Sequence, residues 1–326
     1  MIGQRERRVT RRDARLLPRR EAACRWDHGR ATVGRSADQL RARRMSESIG
    51  LINPGEMGVS IAASAIHNGH HVYWASQGRS ADTRKRAEDN HLVDVGSLAA
   101  LCTQCPIVLS VVPPSAAEDV AELVIAQKFK GTFADLNAIS PQRAQRIGER
   151  LEANGIKFVD GGIIGPPAWQ ANTTWLSLSG KHSSTIAACF TNGPLQTEIL
   201  GDRVGDASAL KMCYGAYTKG LTALIAGVLG TAENSGVRES LMRRWAADGS
   251  GLDKSAAPRV ARITDRAWRW VGEMDEIAST FEQANMPRGF HDAAGDIYRR
   301  LAQFKDQPSP STDTLLEALK APARRA

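Results

Sequence analysis

Ser48-Ile49-Gly50-Leu51-Ile52 is a short apolar run, closed at once by Asn53-Pro54-Gly55-Glu56-Met57-Gly58. An apolar helical stretch follows (Val59, Ile61, Ala62, Ala65, Ile66), then Gly69 and a second apolar run, His71-Val72-Tyr73-Trp74-Ala75. This order reads as strand, glycine turn, helix, strand, the opening unit of a dinucleotide-binding fold. A turn poor in side chains lets a pyrophosphate approach the backbone, and the free N–H groups at the helix start hold the anion. In G-x-G-x-x-G register the first position is Asn53, while Gly55 and Gly58 hold the second and third. Asparagine tolerates a left-handed backbone, so the turn is predicted to survive the exchange.

Charge is distributed unevenly around this unit. Residues 1–44 hold 14 arginines, no lysine and five acids, a net +9, so residues 45–326 carry the balance, −1, of the chain's +8. The basic character therefore belongs to the arm, and the rest offers no nucleic-acid footprint. The arm lacks a core-forming pattern and is expected to be a disordered extension that folding and activity do not need. It reads either as a mitochondrial targeting segment or as sequence upstream of a true start at Met45, which gives a cytoplasmic protein. No run of about 18 apolar residues occurs, so no membrane helix is expected. Cys102-x-x-Cys105 has no second pair or nearby histidine to complete a zinc site, and is read as buried thiols, with a redox role as the alternative.

Downstream, short strands and helices alternate. Strands are expected at Ile107–Val112, Thr132–Leu136, Lys157–Asp160, Trp175–Gly180 and Glu198–Leu200; helices at Arg84–Asn90, Ser97–Cys102, Ala116–Ala126, Pro141–Asn154 and Ser184–Phe190. That alternation predicts an α/β fold, a Rossmann-type and mostly parallel sheet covered on both faces. Strand signals stop after Gly205, where a long apolar helix begins. The expected organisation is an arm at 1–44, a nucleotide-binding domain at 45–205, an all-helical domain at 206–306 and a disordered tail at 307–326, with ligands in the crevice between the two domains.

Lys211 lies in the opening turns of that long helix, with Asp206 as a plausible N-cap and Ala207, Ala209, Leu210, Met212 and Cys213 as apolar neighbours. A desolvated lysine gains a lowered pKa, which suits a general base; the bland alternative is a lysine that snorkels to solvent. Tyr214 reads equally as a substrate hydroxyl or a packed ring. Lys219 could reach the same cleft but reads as solvated. Trp268, Arg269 and Trp270 read as support for the second domain or as the lining of a cleft, core packing being the commoner role of tryptophan, and His67, His70 and His71 read as structural.

Several passages together resemble the β-hydroxyacid dehydrogenases, the superfamily of 3-hydroxyisobutyrate and 6-phosphogluconate dehydrogenases. These are Ile49–Gly58, Val111-Val112-Pro113, Asp135-Leu136-Asn137-Ala138-Ile139-Ser140-Pro141, Asp160-Gly161-Gly162-Ile163-Ile164-Gly165-Pro166-Pro167, Ser208-Ala209-Leu210-Lys211-Met212 and Trp268-Arg269-Trp270-Val271-Gly272-Glu273-Met274. They come in family order, and the likeness, greatest to the phosphogluconate dehydrogenase-like branch with its own helical C-terminal domain, spans residues 48–305. The resemblance implies that Lys211 takes the proton from a substrate hydroxyl while hydride leaves for nicotinamide. It implies cofactor contacts at Asn53, Pro54, Gly55, Glu56, Met57, Gly58, Val111, Val112, Pro113 and Asn137. It also implies a hydroxyacid or sugar-acid-like substrate and a homodimer. The chain departs from the family where many members grip a carboxylate: Ile164-Gly165-Pro166 replaces Ser-Gly-Gly, and Gly215 replaces an asparagine. The substrate-facing positions are thus Ile164, Gly165, Pro166, Tyr214, Gly215 and Lys219.

NAD enzymes commonly place an acid about 20 residues past the glycine turn, to bind the ribose 2′-hydroxyl. Here Ala75-Ser76-Gln77-Gly78-Arg79-Ser80 has none before Asp82. Arg79, with Ser76 and Ser80, leaves a pocket suited to a 2′-phosphate, so NADP is the expected cofactor and NAD the alternative. Two other function classes fit the sequence: an imine reductase on the same scaffold, and a nucleotide-binding protein without catalysis. No metal, nucleic acid or membrane partner is expected.

Overall fold

Eight strands form one sheet in the order β3-β2-β1-β4-β5-β6-β7-β8 in the computed structural model, which describes residues 46–320. The strands are β1 (Ser48–Ile52), β2 (His71–Trp74), β3 (Val93–Asp94), β4 (Ile107–Ser110), β5 (Thr132–Asp135), β6 (Lys157–Ile164), β7 (Thr174–Ser179) and β8 (Leu195–Gly201). All neighbouring pairs are parallel except β6 with β7. The first six strands carry the Rossmann order, with its switch point between β1 and β4, where an open α/β sheet binds ligands. The sheet is covered by α1 (Glu56–His67), α2 (Ala81–Asp89), α3 (Leu98–Gln104), α4 (Ala117–Ala126), α5 (Pro141–Ala153) and α6 (Ser183–Ala187). One apolar cluster lies on each face, Ile49, Leu51 and Leu109 on one side and Val108, Phe133 and Phe158 on the other. This inside-out alternation along strands buried on both faces is what two helical layers require.

After β8 the chain is helical: α7 (Asp206–Asn234), α8 (Arg238–Ala247), α9 (Leu252–Ala261), α10 (Ala267–Gln283), α11 (Gly289–Leu301) and α12 (Thr312–Lys320). They share a core of their own around Met274, Ile277 and Tyr298. Glu276 on α10 ties this region to the sheet. Its carboxylate accepts from the Ser140 N–H at 2.8 Å and pairs with Arg143 at 2.6 Å. Both sit at the start of α5, where an acid complements the free N–H groups and the dipole.

Several expectations need correcting. Residues 307–326 are not all tail, because α12 buries Leu315, Leu316 and Leu319, the last against Gly230 of α7. β6 does not stop at Asp160. It continues through Ile164 because Gly161–Ile164 pair with β7, and β8 begins three residues earlier than the expected Glu198. β3 was not anticipated, as two exposed residues carry no alternation. α7 is entered from Gly205, at φ 105°, so the N-cap is Gly205 and Asp206 is the first helical residue. Residues 1–45 and 321–326, on which the arm and the tail end were expected, lie outside the described residues.

Candidate active site

The glycine turn keeps its geometry through Asn53 and Gly58. Asn53 is left-handed at φ 68°, and its side-chain amide donates to the Val111 carbonyl at 3.0 Å, joining the ends of β1 and β4. A Cβ on Gly58 would lie 2.5 Å from the Asn53 carbonyl oxygen, so only glycine lets α1 start there. At Gly55, the residue before α1, a Cβ would meet nothing nearer than the Asn53 amide at 3.6 Å. Its bareness serves an approach from outside, next to the unpaired N–H groups of the helix start. Glu56 reaches across to Arg269 of α10 at 3.7 Å, and Arg86 donates to the Pro54 carbonyl at 3.3 Å.

Beside this turn is a cavity of about 190 Å³ lined by Asn53, Ala75, Gln77 and Arg79 among others. Ser76 and Ser80 are otherwise engaged. Ser80 caps α2, accepting from the Thr83 N–H at 3.3 Å. Ser76 is buried, and its N–H donates to Asp94 at 3.2 Å. Burial pushes the Asp94 carboxyl up, but hydrogen bonds from the Ser76 side chain, the Gly96 N–H and the Ser76 N–H, with Arg84 nearby, hold it below the usual range. A carboxylate thus stands at the end of β2 after all, supplied by β3. Sequence reading missed it because the acid was sought within one strand.

Asn137 does not present a free amide. It is buried, accepts from the Val112 N–H at 2.6 Å and donates to Asp135 at 2.9 Å, bracing the Val111–Pro113 segment that borders the turn. Burial pushes the Asp135 carboxyl up to about 7, against the hydrogen bonds from Asn137 and with the help of the charge on Asp160.

Lys211 owes its position to two features of β6. Gly162 lies so close to α7 that a Cβ there would be 2.7 Å from the Ala207 carbonyl and 3.0 Å from the Lys211 Cβ. Asp160, two residues earlier, accepts at the start of α7 from Gly205 and Ser208. The Lys211 ammonium donates to the Ile163 carbonyl at the edge of a cavity of about 260 Å³. Although Lys211 as a whole keeps some exposed surface, protein surrounds its ammonium closely. Burial lowers its pKa to about 8, with Lys219 lowering and Glu273 raising it.

The same cavity gathers Ile164, Gly165, Tyr214, Gly215 and Lys219 from the expected set. Pro166 is absent from its wall and instead accepts from the Thr174 hydroxyl at 2.6 Å, turning the β6–β7 loop. Tyr214 is exposed, which removes the reading of a packed ring. Gly215 faces Ile277, where a Cβ would come within 3.2 Å. Lys219 is not the solvated lysine expected: it forms an ion pair with Glu273 of α10, the two side chains being only 16% and 17% exposed. Burial works against the Glu273 charge, but Lys219, Lys211 and Arg269 outweigh it and keep the carboxyl below the usual range. Trp270 lines the cavity, in keeping with the cleft-lining alternative, whereas Glu273 was not among the expected site residues. Trp270 and Glu273 are three residues apart on a helix, and that spacing was the available signal.

Comparisons with known proteins bear on both halves of the chain. Residues 48–188 match the family described as the NAD binding domain of 6-phosphogluconate dehydrogenase, and residues 232–301 match a domain of unknown function, DUF1932. An uncharacterized 28.5 kDa protein in the 7S RNA 5′ region of Methanothermus fervidus is 30% identical over 194 residues, 60% of this chain and 74% of that one. The solved structure of conserved protein MTH1747, of unknown function and described as similar to 3-hydroxyacid dehydrogenases, is 25% identical. It superposes with a TM-score of 0.60 over 82% of this chain and 99% of that one. A Mycobacterium tuberculosis 3-hydroxyisobutyrate dehydrogenase with L-serine gives a TM-score of 0.64 at 16% identity, over 85% of this chain and 100% of that one, a likeness of fold.

Proposed function

The chain belongs to the β-hydroxyacid dehydrogenase superfamily, and we propose that it is an NADP-dependent oxidoreductase working on the CH–OH carbon of a small polar substrate, with Lys211 as general acid and base. The observation that carries this reading is the desolvated Lys211 ammonium, lowered to about 8, facing a cavity between the sheet and the helical region.

The residues fit a nicotinamide dinucleotide: the open approach at Gly55 and the free N–H groups of α1 suit a pyrophosphate, and Val111–Pro113 is held rigid beside them by Asn53 and Asn137. When bound, the nicotinamide supplies the hydride acceptor or donor. Lys211 in its neutral form accepts the hydroxyl proton during oxidation, and as ammonium it returns that proton during reduction. The Ile163 carbonyl fixes the direction of its Nζ. Arg79, beside the turn, supports the choice of NADP as a forked donor for a 2′-phosphate, while the Asp94 carboxylate at the end of β2 favours NAD.

A second copy of the chain is part of this proposal. Leu210, Tyr214, Tyr217 and Leu224 are exposed on α7, and together with the half-buried Leu221 and Val228 they recur at alternating spacings of four and three. Such a stripe is the seam of a helix pair. An absorbance screen for reduced nicotinamide, with the full-length protein and a panel of hydroxyacids, sugar acids, uncharged alcohols and imines, tests the activity. Family membership points to an acid as substrate.

A further inference from the structure

Arg269 of α10 reaches the glycine turn from the helical region. Its guanidinium lies 3.7 Å from the carboxylate of Glu56, the first residue of α1, and about half of each side chain is in solvent. The same guanidinium is 5.6 Å from the centre of the exposed Trp268 ring, and the Lys305 ammonium lies 4.3 Å from that ring. Lys305 has no acid partner among the described residues. Two cations on the helical side therefore stand against one carboxylate on the turn.

The acid sits where an anion belongs. Glu56 opens α1, beside N–H groups that have no partner within the helix and next to the unobstructed Gly55. A pyrophosphate held by those N–H groups brings negative charge up to the Glu56 carboxylate, a repulsion that a neighbouring cation offsets. Arg86, also at the turn, already donates to the Pro54 carbonyl at 3.3 Å. The exposed Arg269–Glu56 pair is worth little in water, so moving the guanidinium from the carboxylate to a phosphate costs little, and its planar fork suits two phosphate oxygens at once. We propose that Arg269 is a cofactor-binding residue, which holds the pyrophosphate from the helical region while the α1 N–H groups hold it from the sheet. It serves NADP and NAD alike, because the pyrophosphate is common to both, and in this it differs from Arg79. The assignment rests on the dinucleotide reading of the turn. It adds a contact from outside residues 48–188, the stretch matched to the NAD binding domain, and gives a role to a residue of the domain of unknown function at 232–301.

Calorimetric titrations of the full-length protein with NADPH, NADH and ADP test this for wild type, Arg269→Gln, Glu56→Gln and the Glu56→Gln/Arg269→Gln double variant, with the melting temperature of each. Arg269→Gln is expected to weaken all three by ~10-fold and to leave the NADPH-to-NADH ratio unchanged. Glu56→Gln removes the repulsion and should tighten all three. The double variant should bind ~10-fold more weakly than Glu56→Gln, since the contact is lost where no repulsion is left to screen. A double variant as tight as Glu56→Gln would show that Arg269 only screens Glu56, and overturns the proposal. Unchanged NADH affinity in Arg269→Gln overturns it too, as does weakening confined to NADPH, which would make Arg269 a reader of the 2′-phosphate. Should Arg269→Gln fail to fold, Arg269→Lys, which keeps the charge without the fork, must still weaken NADH binding; wild-type affinity in that variant counts against the contact. A wild type that binds neither dinucleotide refutes the reading of the turn and this contact with it. Binding that follows the expected pattern without turnover of any substrate leaves Arg269 in place and refutes only the oxidoreductase reading.

Discussion

Asp160, midway along β6, accepts hydrogen bonds from both the hydroxyl and the N–H of Ser208, at 2.6 and 3.0 Å, three residues before Lys211 on α7. Its carboxylate also takes the Ser179 hydroxyl at 2.9 Å and the Gly205 N–H at 3.0 Å. One buried acid therefore stitches two strands to the start of the helix that carries the proposed base. Asp160→Ala leaves these donors without a partner and is expected to cost roughly 3 kcal/mol of stability, with Ser208→Ala costing about 1 kcal/mol. Denaturant midpoints measure both, and an Asp160→Ala protein as stable as wild type would show that water replaces the carboxylate.

Lys211→Ala should lower kcat by roughly 10²–10⁴-fold while leaving NADPH affinity within a few-fold, since the lysine acts on the chemical step. A kcat close to wild type would remove Lys211 from the mechanism. With its pKa lowered to about 8, the alcohol-oxidising kcat/KM should rise with pH and level off above about 8, as the neutral amine forms. Carbonyl reduction should show the opposite limb, falling as pH rises through the same value.

Asp135 predicts a pH dependence of stability rather than of rate. Its carboxyl is raised in the fold to about 7 from 3.8, chiefly by burial. Between those values the folded protein keeps the proton that the unfolded chain has lost. Stability should therefore fall as pH rises from about 4 to about 7, by on the order of 4 kcal/mol, and then change no further on this account. Asp160, also raised by burial, adds in the same direction. Asp135→Asn should flatten much of the slope, and urea titrations across that range would reveal a slope that persists.

Arg79→Ala should weaken NADPH binding by ~10-fold and leave NADH binding unchanged, as the loss of one charge-assisted contact to a 2′-phosphate. Equal wild-type affinity for the two cofactors would mean that Arg79 reads no phosphate. Asp94 gives the experiment a second arm, because Asp94→Asn removes a carboxylate from the end of β2 and should favour NADPH further.

A dimer mass is expected by light scattering at micromolar concentration, and Leu224→Glu should reduce it to that of a monomer. Leu224 is 49% exposed in the single subunit, so the substitution puts a charge into the stripe without disturbing the subunit's own core. A wild-type monomer would leave the stripe without an occupant.

What was legible in the sequence was local. The Asn53–Gly58 turn could be read because backbone conformation restricts which residues can stand there, and the alternation of strand and helix gave the sheet that is observed. Lys211 stood out because its immediate neighbours are apolar. Glu273 did not, because its charge looks like an ordinary exposed helix residue until Lys219, 54 positions away, is brought against it. Asp94 was hidden for a similar reason, as it reaches β2 only through pairing between strands. Helix α12 was misread because Gln307-Pro308-Ser309-Pro310-Ser311 looks like the beginning of a tail, and the leucines after it declare themselves only against α7.

Two of the ties between α10 and the sheet domain differ in kind. On one side Glu276 is locked to Arg143 and the Ser140 N–H, with the paired side chains 17% and 12% exposed. On the other, Arg269 and Glu56 meet at 3.7 Å with 49% and 63% of their side chains in solvent, an ion pair worth little in water. Removing the Glu276 carboxylate would strand a mostly buried arginine and a helix-start N–H, whereas removing Glu56 would free an arginine that water already reaches, so the helical region grips the α5 edge far more firmly than it grips the glycine turn.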